Sequence, residues 1–256
     1  MASKYEFDKF YTKEDISKYL ISLVDTRRYK TIIEPSAGTG SFSNNIEGCY
    51  AIDIAPEGDG IYLQDFFTLD YSNFRKPILV IGNPPFGRNG SLALNFIKYS
   101  SLFADTIAFI LPKSFKKQSF YNKIPLNFWL YETVNLPDNS FIYKGEEKNI
   151  PCVFQIYEKS TELRQKVNKT KTDLFSFTNK EKANISIRRV GVNAGRASKD
   201  LNKSPTSHYF VYKENPEDFI RLVNSIEWEH DNTVGSRSIS KGELIEKIEH
   251  LLDKKY

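Results

Sequence analysis

The chain is poor in the residues that staple, switch or bind metal. Its 256 residues include two cysteines, Cys49 and Cys152, and three histidines, His208, His230 and His250. Two distant thiols make no disulfide framework, and neither residue set shows metal-ligand spacing, so no zinc site and no catalytic imidazole is expected. Long apolar runs are missing too. No stretch approaches the length of a membrane span, and Met1-Ala-Ser-Lys-Tyr opens no apolar leader, so the expectation is a soluble, cytoplasmic chain with no membrane partner, working as a monomer. There is no internal repeat and no motif for a DNA-binding helix pair. A large excess of one charge is also missing: 36 Lys and Arg stand against 32 Asp and Glu. The small excess is localised, because residues 1–159 are balanced at 18 of each whereas residues 160–256 carry 18 basic against 14 acidic. Within 164–203 the basic side chains are Arg164, Lys166, Lys169, Lys171, Lys180, Lys182, Arg188, Arg189, Arg196, Lys199 and Lys203, a surface suited to a polyanion or, up to Lys182, a solvated linker.

What is present is an alternation of apolar runs and amphipathic stretches from residue 13 to about 157, the pattern of an α/β layer structure with a mainly parallel sheet. Glu14 to Thr26 carries a helical stripe, with Thr12 as its N-cap. Thr31–Glu34 reads as the first strand, followed by the loop Pro35-Ser-Ala-Gly-Thr-Gly40 and a helix starting over Ser41–Ile46. Glycines at 38 and 40 permit close backbone approach, and backbone donors at a helix start suit an anionic group. The second strand, Tyr50–Ile54, ends on Asp53, 13 positions after Gly40, where a carboxylate can accept both hydroxyls of a ribose.

The most informative stretch is Ile81-Gly-Asn-Pro-Pro-Phe-Gly87, closing the apolar run that starts at Pro77. Consecutive prolines fix their own φ and push the preceding residue out of the helical region, so Asn83 and Pro84 are expected extended. The side-chain carbonyl of Asn83 and the backbone carbonyl of Pro84 then form a rack of two acceptors for the protons of one planar amine, with Phe86 placed to stack on its parent ring. Arg88 and Asn89 follow as phosphate contacts or as solvated loop residues. Strand Thr106–Leu111 leads to Lys113, with Lys116 and Lys117 nearby, at the edge where a nucleic-acid backbone would pass. Leu130–Asn135 and Ile150–Tyr157 are the last two strands of this part.

Taken together, Glu34-Pro-Ser-Ala-Gly-Thr-Gly40 and Asn83-Pro-Pro-Phe86 resemble the amino-methyltransferases that use S-adenosylmethionine, most closely the N6-adenine DNA methyltransferases. The resemblance implies a Rossmann-like, seven-stranded, mainly parallel α/β sheet ending in a pair with one antiparallel member, plus a small α+β C-terminal appendage. It assigns catalysis to Asn83, Pro84, Pro85 and Phe86. Cofactor contacts fall on Tyr11, Thr12, Glu34, Pro35, Ser36, Ala37, Gly38, Asp53, Ile54, Asp65, Phe66 and Asn83, with Asp65 on the adenine amine and Phe66 on its ring. Phe154 and Tyr157 are candidates for an aromatic lining the target pocket, with core packing as the rival reading for both. The implied substrate is DNA adenine, flipped out of the duplex. RNA adenine, cytosine N4, a protein glutamine amide and a catalytically silent nucleic-acid binder stay open.

Residues 1–160 are read as the catalytic domain and 161–256 as a basic target-recognition region, with strands over Asn184–Val190 and Ser207–Lys213, a helix over Glu217–Ile226, and a Ser240/Glu243 capping box. Candidate substrate contacts are Arg88, Lys113, Arg188, Arg189 and Arg196. The basic 164–203 segment predicts DNA binding whose affinity falls by orders of magnitude between about 50 and 200 mM salt. A flat salt response in fluorescence anisotropy would reject that surface.

Overall fold

The computed structural model describes residues 10–167, 171–228 and 237–253. Lys169 and His230 lie outside the described residues. The chain divides into two compact units, Met1–Lys166 and Val167–Tyr256.

In the first unit the elements are β1 (Tyr11–Thr12), α1 (Glu14–Ser22), β2 (Thr31–Glu34), β3 (Tyr50–Asp53), β4 (Tyr62–Leu63), β5 (Ile78–Gly82), α2 (Ser91–Ser100), β6 (Thr106–Pro112), α3 (Gln118–Tyr121), β7 (Phe128–Asn135), β8 (Phe141–Tyr143), β9 (Glu146–Lys148) and β10 (Cys152–Lys159). Seven strands form one sheet in the order β4-β3-β2-β5-β6-β10-β7. Neighbours from β4 to β6 are parallel, and β10 runs antiparallel to both β6 and β7. The chain therefore winds outward in one direction from β2 through β3 to β4, then returns to the centre and winds the other way from β5. The crevice between the C-terminal ends of β2 and β5 is the point of reversal, where open α/β sheets place ligands.

The central strands are apolar along their whole length because both faces are covered. On one face Ile33, Ile52, Val80, Ile107 and Phe109 pack with α2 residues Ala93, Phe96 and Ile97. On the other, Ile32, Leu79, Ile81, Ala108 and Ile110 pack with Ile16 and Leu20 of α1. Cys152 belongs to this second cluster and Cys49 packs against it.

Several local expectations change. Thr12 is held extended by β1, which pairs with β8, so it does not cap α1; Lys13 occupies that position and makes no side-chain cap. Ser41–Ile46 forms no α-helix but a single 3-10 turn over Ser43–Asn45. Only fifteen residues separate Glu34 from Tyr50, and the loop uses its backbone donors on Glu34 instead. The hairpin of β8 and β9 emerges from a stretch without strand periodicity and completes a three-stranded sheet in the order β1-β8-β9.

The second unit is a four-stranded antiparallel sheet, order β11-β14-β12-β13, made of β11 (Ser176–Phe177), β12 (Ile185–Arg188), β13 (Ala197–Ser198) and β14 (His208–Tyr212), with helices α4 (Pro216–Asn224) and α5 (Lys241–Asp253). Phe219 and Val223 of α4 and Leu244, Ile245 and Ile248 of α5 close its core over Ile185, Ile187 and Val211. The Ser240/Glu243 capping box forms reciprocally: Ser240 N donates to Glu243 Oε2 at 2.7 Å and Glu243 N to Ser240 Oγ at 3.2 Å. The loop between β12 and β13 turns at Gly191 and Gly195, both with left-handed φ, and the Trp228 indole occupies the space a Cβ on Gly195 would need.

Arg164 departs most from the sequence reading. It is 4% exposed, not part of a basic surface. Its guanidinium donates to the carbonyls of Phe128 at 2.7 Å, Ile124 at 2.9 Å and Tyr121 at 3.0 Å, and lies 3.8 Å from the centre of the Tyr121 ring. Replacement by Ala orphans these carbonyls and opens a cavity. We expect Arg164→Ala to destabilise the first unit by about 2–4 kcal/mol, read from denaturant unfolding by Trp129 fluorescence in a Trp228→Phe background. A loss below about 0.5 kcal/mol would contradict this bonding.

Candidate functional site at the sheet reversal

β2 and β5 run side by side in parallel register, Ile33 opposite Val80, so the loops that follow them leave the sheet together. Pro35–Gly40 comes from the first and Asn83–Gly87 from the second. A hydrogen bond joins them, Ser36 Oγ donating to the backbone carbonyl of Asn83 at 3.2 Å. Gly82 makes the join possible. Its φ is +151°, and a Cβ there would sit 3.3 Å from Cγ of Glu34.

Glu34 organises the first loop from beneath. Its side chain is 1% exposed, and its carboxylate accepts from Ser43 N at 2.7 Å and Phe42 N at 3.3 Å. The backbone donors that a helix start would offer to an anionic ligand are thus taken by the chain's own carboxylate. Asp53, at the end of β3, accepts from Gly38 N and from Ala55 N, both at 2.8 Å, which leaves part of its acceptor capacity unused. Gly38 has φ +55° and lies under the Tyr11 ring, 3.1 Å from where its Cβ would be. Tyr11 in turn donates through its hydroxyl to Glu57 Oε2 at 2.6 Å. Burial first, then the Glu57 carboxylate, pushes the Tyr11 phenol upward and keeps it neutral.

Asn83 and Phe86 stand half-buried over the reversal. The Asn83 side chain donates Nδ2–H to the Phe10 carbonyl at 3.0 Å, and Oδ1 has no protein donor among the described residues. The Phe86 carbonyl accepts from Leu92 N at 3.0 Å, fastening the turn to the start of α2. Gly87 has φ +65°, and a Cβ there would come 2.7 Å from Cβ of Leu92. The Thr12 hydroxyl is buried without a partner among the described residues, although its backbone carbonyl accepts from Ser41 Oγ at 3.1 Å.

The structure therefore brings together Tyr11, Thr12, Glu34, Pro35, Ser36, Ala37, Gly38, Asp53, Asn83, Pro84, Pro85 and Phe86 at one sheet edge. Ile54 is exposed beside Asp53. Arg88 is exposed just after the Asn83–Gly87 turn, and Lys113 follows β6 at the same edge.

Other expectations are corrected. Phe66 is 1% exposed and stacked at 5.1 Å on Phe96, so its ring faces the core and cannot lie on a ligand. Asp65 beside it is exposed, and one of its carboxylate oxygens caps the 3-10 turn Phe66–Thr68 by accepting from Phe67 N at 2.9 Å, a bond that does not consume its remaining acceptor capacity. Phe154 and Tyr157 are fully buried in β10, with the Tyr157 hydroxyl donating to Gln155 Oε1 at 2.6 Å, so neither lines a surface pocket. In the second unit Arg188 and Arg189 are half-buried, the first donating Nε–H to the Val190 carbonyl and keeping its terminal N–H groups, the second lying over the Tyr209 ring, while Arg196 is exposed. Lys199 and Lys203 pair with Glu217 and Asp200. Phe10, Ser36 as a bridge between loops, and Tyr143, whose ring lies 5.0 Å from that of Phe10, carried no sequence signal for these contacts. An open hollow formed by Phe67, Asn95, Lys98, Tyr99 and Leu102 contains none of these loop residues.

Fold and site residues together define an open α/β protein of the doubly wound kind with a candidate ligand site at its reversal point. No protein-family model matches the chain, and no curated protein matches it in sequence. Among solved structures it is similar to a candidate RNA methyltransferase from Pyrococcus horikoshii, at 16% identity and TM-score 0.48 over 62% of this chain and 90% of that one. It is also similar to the modification subunit of a candidate type I restriction enzyme from Vibrio vulnificus, at 14% identity and TM-score 0.46, over 61% of this chain and 46% of that one. The M protein of the type I restriction enzyme EcoKI is similar at 14% identity and TM-score 0.43, over 98% of this chain and 71% of that one. These likenesses concern the course of the chain, and the chemistry rests on the residues above. No group of His, Cys, Asp or Glu placed to hold a metal ion occurs among the described residues, and no helix there is long and apolar enough to cross a membrane.

Burial pushes the Glu34 carboxyl up to about 7, opposed by the Ser43 hydroxyl and the two backbone donors and helped a little by the nearby Asp53 charge. A carboxyl raised from its ordinary value binds protons more tightly in the folded state, so its contribution is complete at acidic pH and is lost as pH rises through 7. The first unit should lose about 3 kcal/mol of stability through this group between pH 4.5 and 8. Glu34→Gln should be less stable at acidic pH, because its amide cannot accept from both donors, and should show a flatter pH dependence. Denaturant midpoints across that range check the sign, and parallel profiles for the two proteins would refute it.

Proposed function

We propose that the chain transfers a methyl group from S-adenosylmethionine to the N6 amine of adenine in DNA, on a base turned out of the duplex. The observation that carries this reading is the junction at the reversal point. A glycine loop and a diproline turn are hydrogen-bonded to each other, with the Asn83 amide pinned by its nitrogen and its oxygen left over.

The cofactor residues fit the group. Gly38 takes the left-handed φ of +55° that lets the loop turn closely under Tyr11, and Asp53 keeps unused acceptor sites suited to ribose hydroxyls. The bound cofactor supplies a methyl group on a sulfonium, electrophilic without further activation. The chain's own residues then act on the amine. Adenine's amino lone pair is delocalised into the ring, which makes it a weak nucleophile. Asn83 Oδ1 and the Pro84 carbonyl each accept one N–H, favouring a tetrahedral nitrogen whose lone pair is free, and Phe86 supports the ring. Positioning and acceptor electrostatics are the main rate terms, and the proton leaves to solvent after transfer. A paired base offers no such geometry, so the duplex must yield it at a cost of a few kcal/mol, which stacking on Phe86 offsets. The basic Arg88, Lys113 and Arg196 are the proposed backbone contacts, and residues 161–256 the proposed recognition region.

Incubation with S-adenosylmethionine and DNA, digestion to nucleosides and mass spectrometry tests the assignment: N6-methyladenine is expected. Modified cytosine N4, or product only with RNA or with a glutamine peptide, would redirect it within the same chemistry, since each presents a planar NH2. No heat on calorimetric titration with the cofactor would leave only a silent binder. Asn83→Ala should bind cofactor within about threefold of wild type and lose roughly 10²- to 10³-fold in kcat. Wild-type turnover in that variant would remove the mechanism.

A further inference from the structure

We propose that the backbone carbonyl of Phe10 is a positioning group for Asn83, and that the β8–β9 hairpin holds Phe10 in place. This deepens the reading that Asn83 presents its oxygen to a target amine, and it rests on that reading for its catalytic consequence.

A primary amide has two ends of nearly equal shape and opposite hydrogen-bonding character, so an Asn free to flip spends part of its time presenting donors where an acceptor is needed. Here one end is assigned. Nδ2 donates to the Phe10 carbonyl at 3.0 Å, while the residue's own backbone carbonyl is tied to Ser36 Oγ at 3.2 Å. A flipped side chain would set Oδ1 against the Phe10 oxygen, acceptor against acceptor, and would be disfavoured roughly 10- to 100-fold.

The carbonyl that does this belongs to a segment with little hold of its own. β1 is two residues long, and its neighbours come from far along the chain: Tyr11 stands opposite Ile142 and Thr12 opposite Phe141. Lys13 N donates to the Ser140 carbonyl at 3.1 Å and the Lys13 ammonium reaches Glu147 at 2.8 Å. The Phe10 ring lies on that of Tyr143, 5.0 Å between centres. Phe141 is 1% exposed and roots the hairpin in the core of α1, β2 and β5. The hairpin thus fixes Phe10, and Phe10 fixes the amide.

The test uses the full chain. In ¹⁵N NMR the Asn83 side-chain NH2, assigned by its absence in Asn83→Ala, should exchange with solvent at least tenfold more slowly than a free Asn amide. Tyr143→Ala should remove that protection and lower kcat about tenfold, and Tyr143→Phe should restore both. Lys13→Ala, a milder surface change that severs only the Glu147 pair, should shift both readouts in the same direction. Asn83→Asp keeps acceptor oxygens but loses the donor, and it should lose about 100-fold in kcat. Free-amide exchange in wild type, or unchanged exchange and turnover in Tyr143→Ala, would overturn the proposal. Protection that Tyr143→Ala releases, in a protein that methylates no nucleic acid, would uphold the positioning and sink the methyltransferase reading alone.

Discussion

The parallel pairing of β2 with β5 is the constraint on which the site depends. Once Ile33 lies opposite Val80, the loops after Glu34 and Gly82 leave the sheet side by side, and Gly82, with its φ of +151° and no Cβ to crowd Glu34, eases the second past the first. The Ser36 to Asn83 bond is a consequence of that adjacency. Sheet register, loop spacing and the aim of Asn83 are therefore one problem, solved by the apolar runs that bury both faces of the central strands.

Glu34 adds a second level. A buried carboxylate is costly, and here its anionic form is stabilised by backbone donors on one side while Asp53 repels it from another. It shapes the Pro35–Ser43 loop from inside. The residue reads in sequence as a ligand contact and in three dimensions as the internal support of its loop.

The long strands and the two motif loops were legible because each has a signal of matching length: an apolar run closed by Gly, Asn or Pro, and Gly or Pro at positions demanding special backbone angles. Asp65 and Phe66 show where such reading stops. At a 3-10 turn neighbouring side chains part ways, so Asp65 caps the turn while Phe66 turns inward to Phe96. Phe154 and Tyr157 were ambiguous for another reason. β10 is buried on both faces between β6 and β7, and no alternation marks a side facing a ligand. Arg164 shows that a basic residue in a polar stretch can be an internal donor, since carbonyls at the end of α3 and the start of β7 need one. The pairing of β1 with β8 left no trace, because strands of two and three residues are too short to carry a period.

That last pairing also has a bearing on the order in which the molecule assembles. Tyr11 and Ile142 are more than half the chain apart, so a nascent polypeptide that has not yet extended past the β8–β9 hairpin can form β2, β5 and both motif loops but has nothing to pair with β1. The closure is non-local, and β10, which enters the central sheet between β6 and β7, lies beyond the same hairpin in the chain, so on the ribosome the sheet edge and its scaffold are completed together.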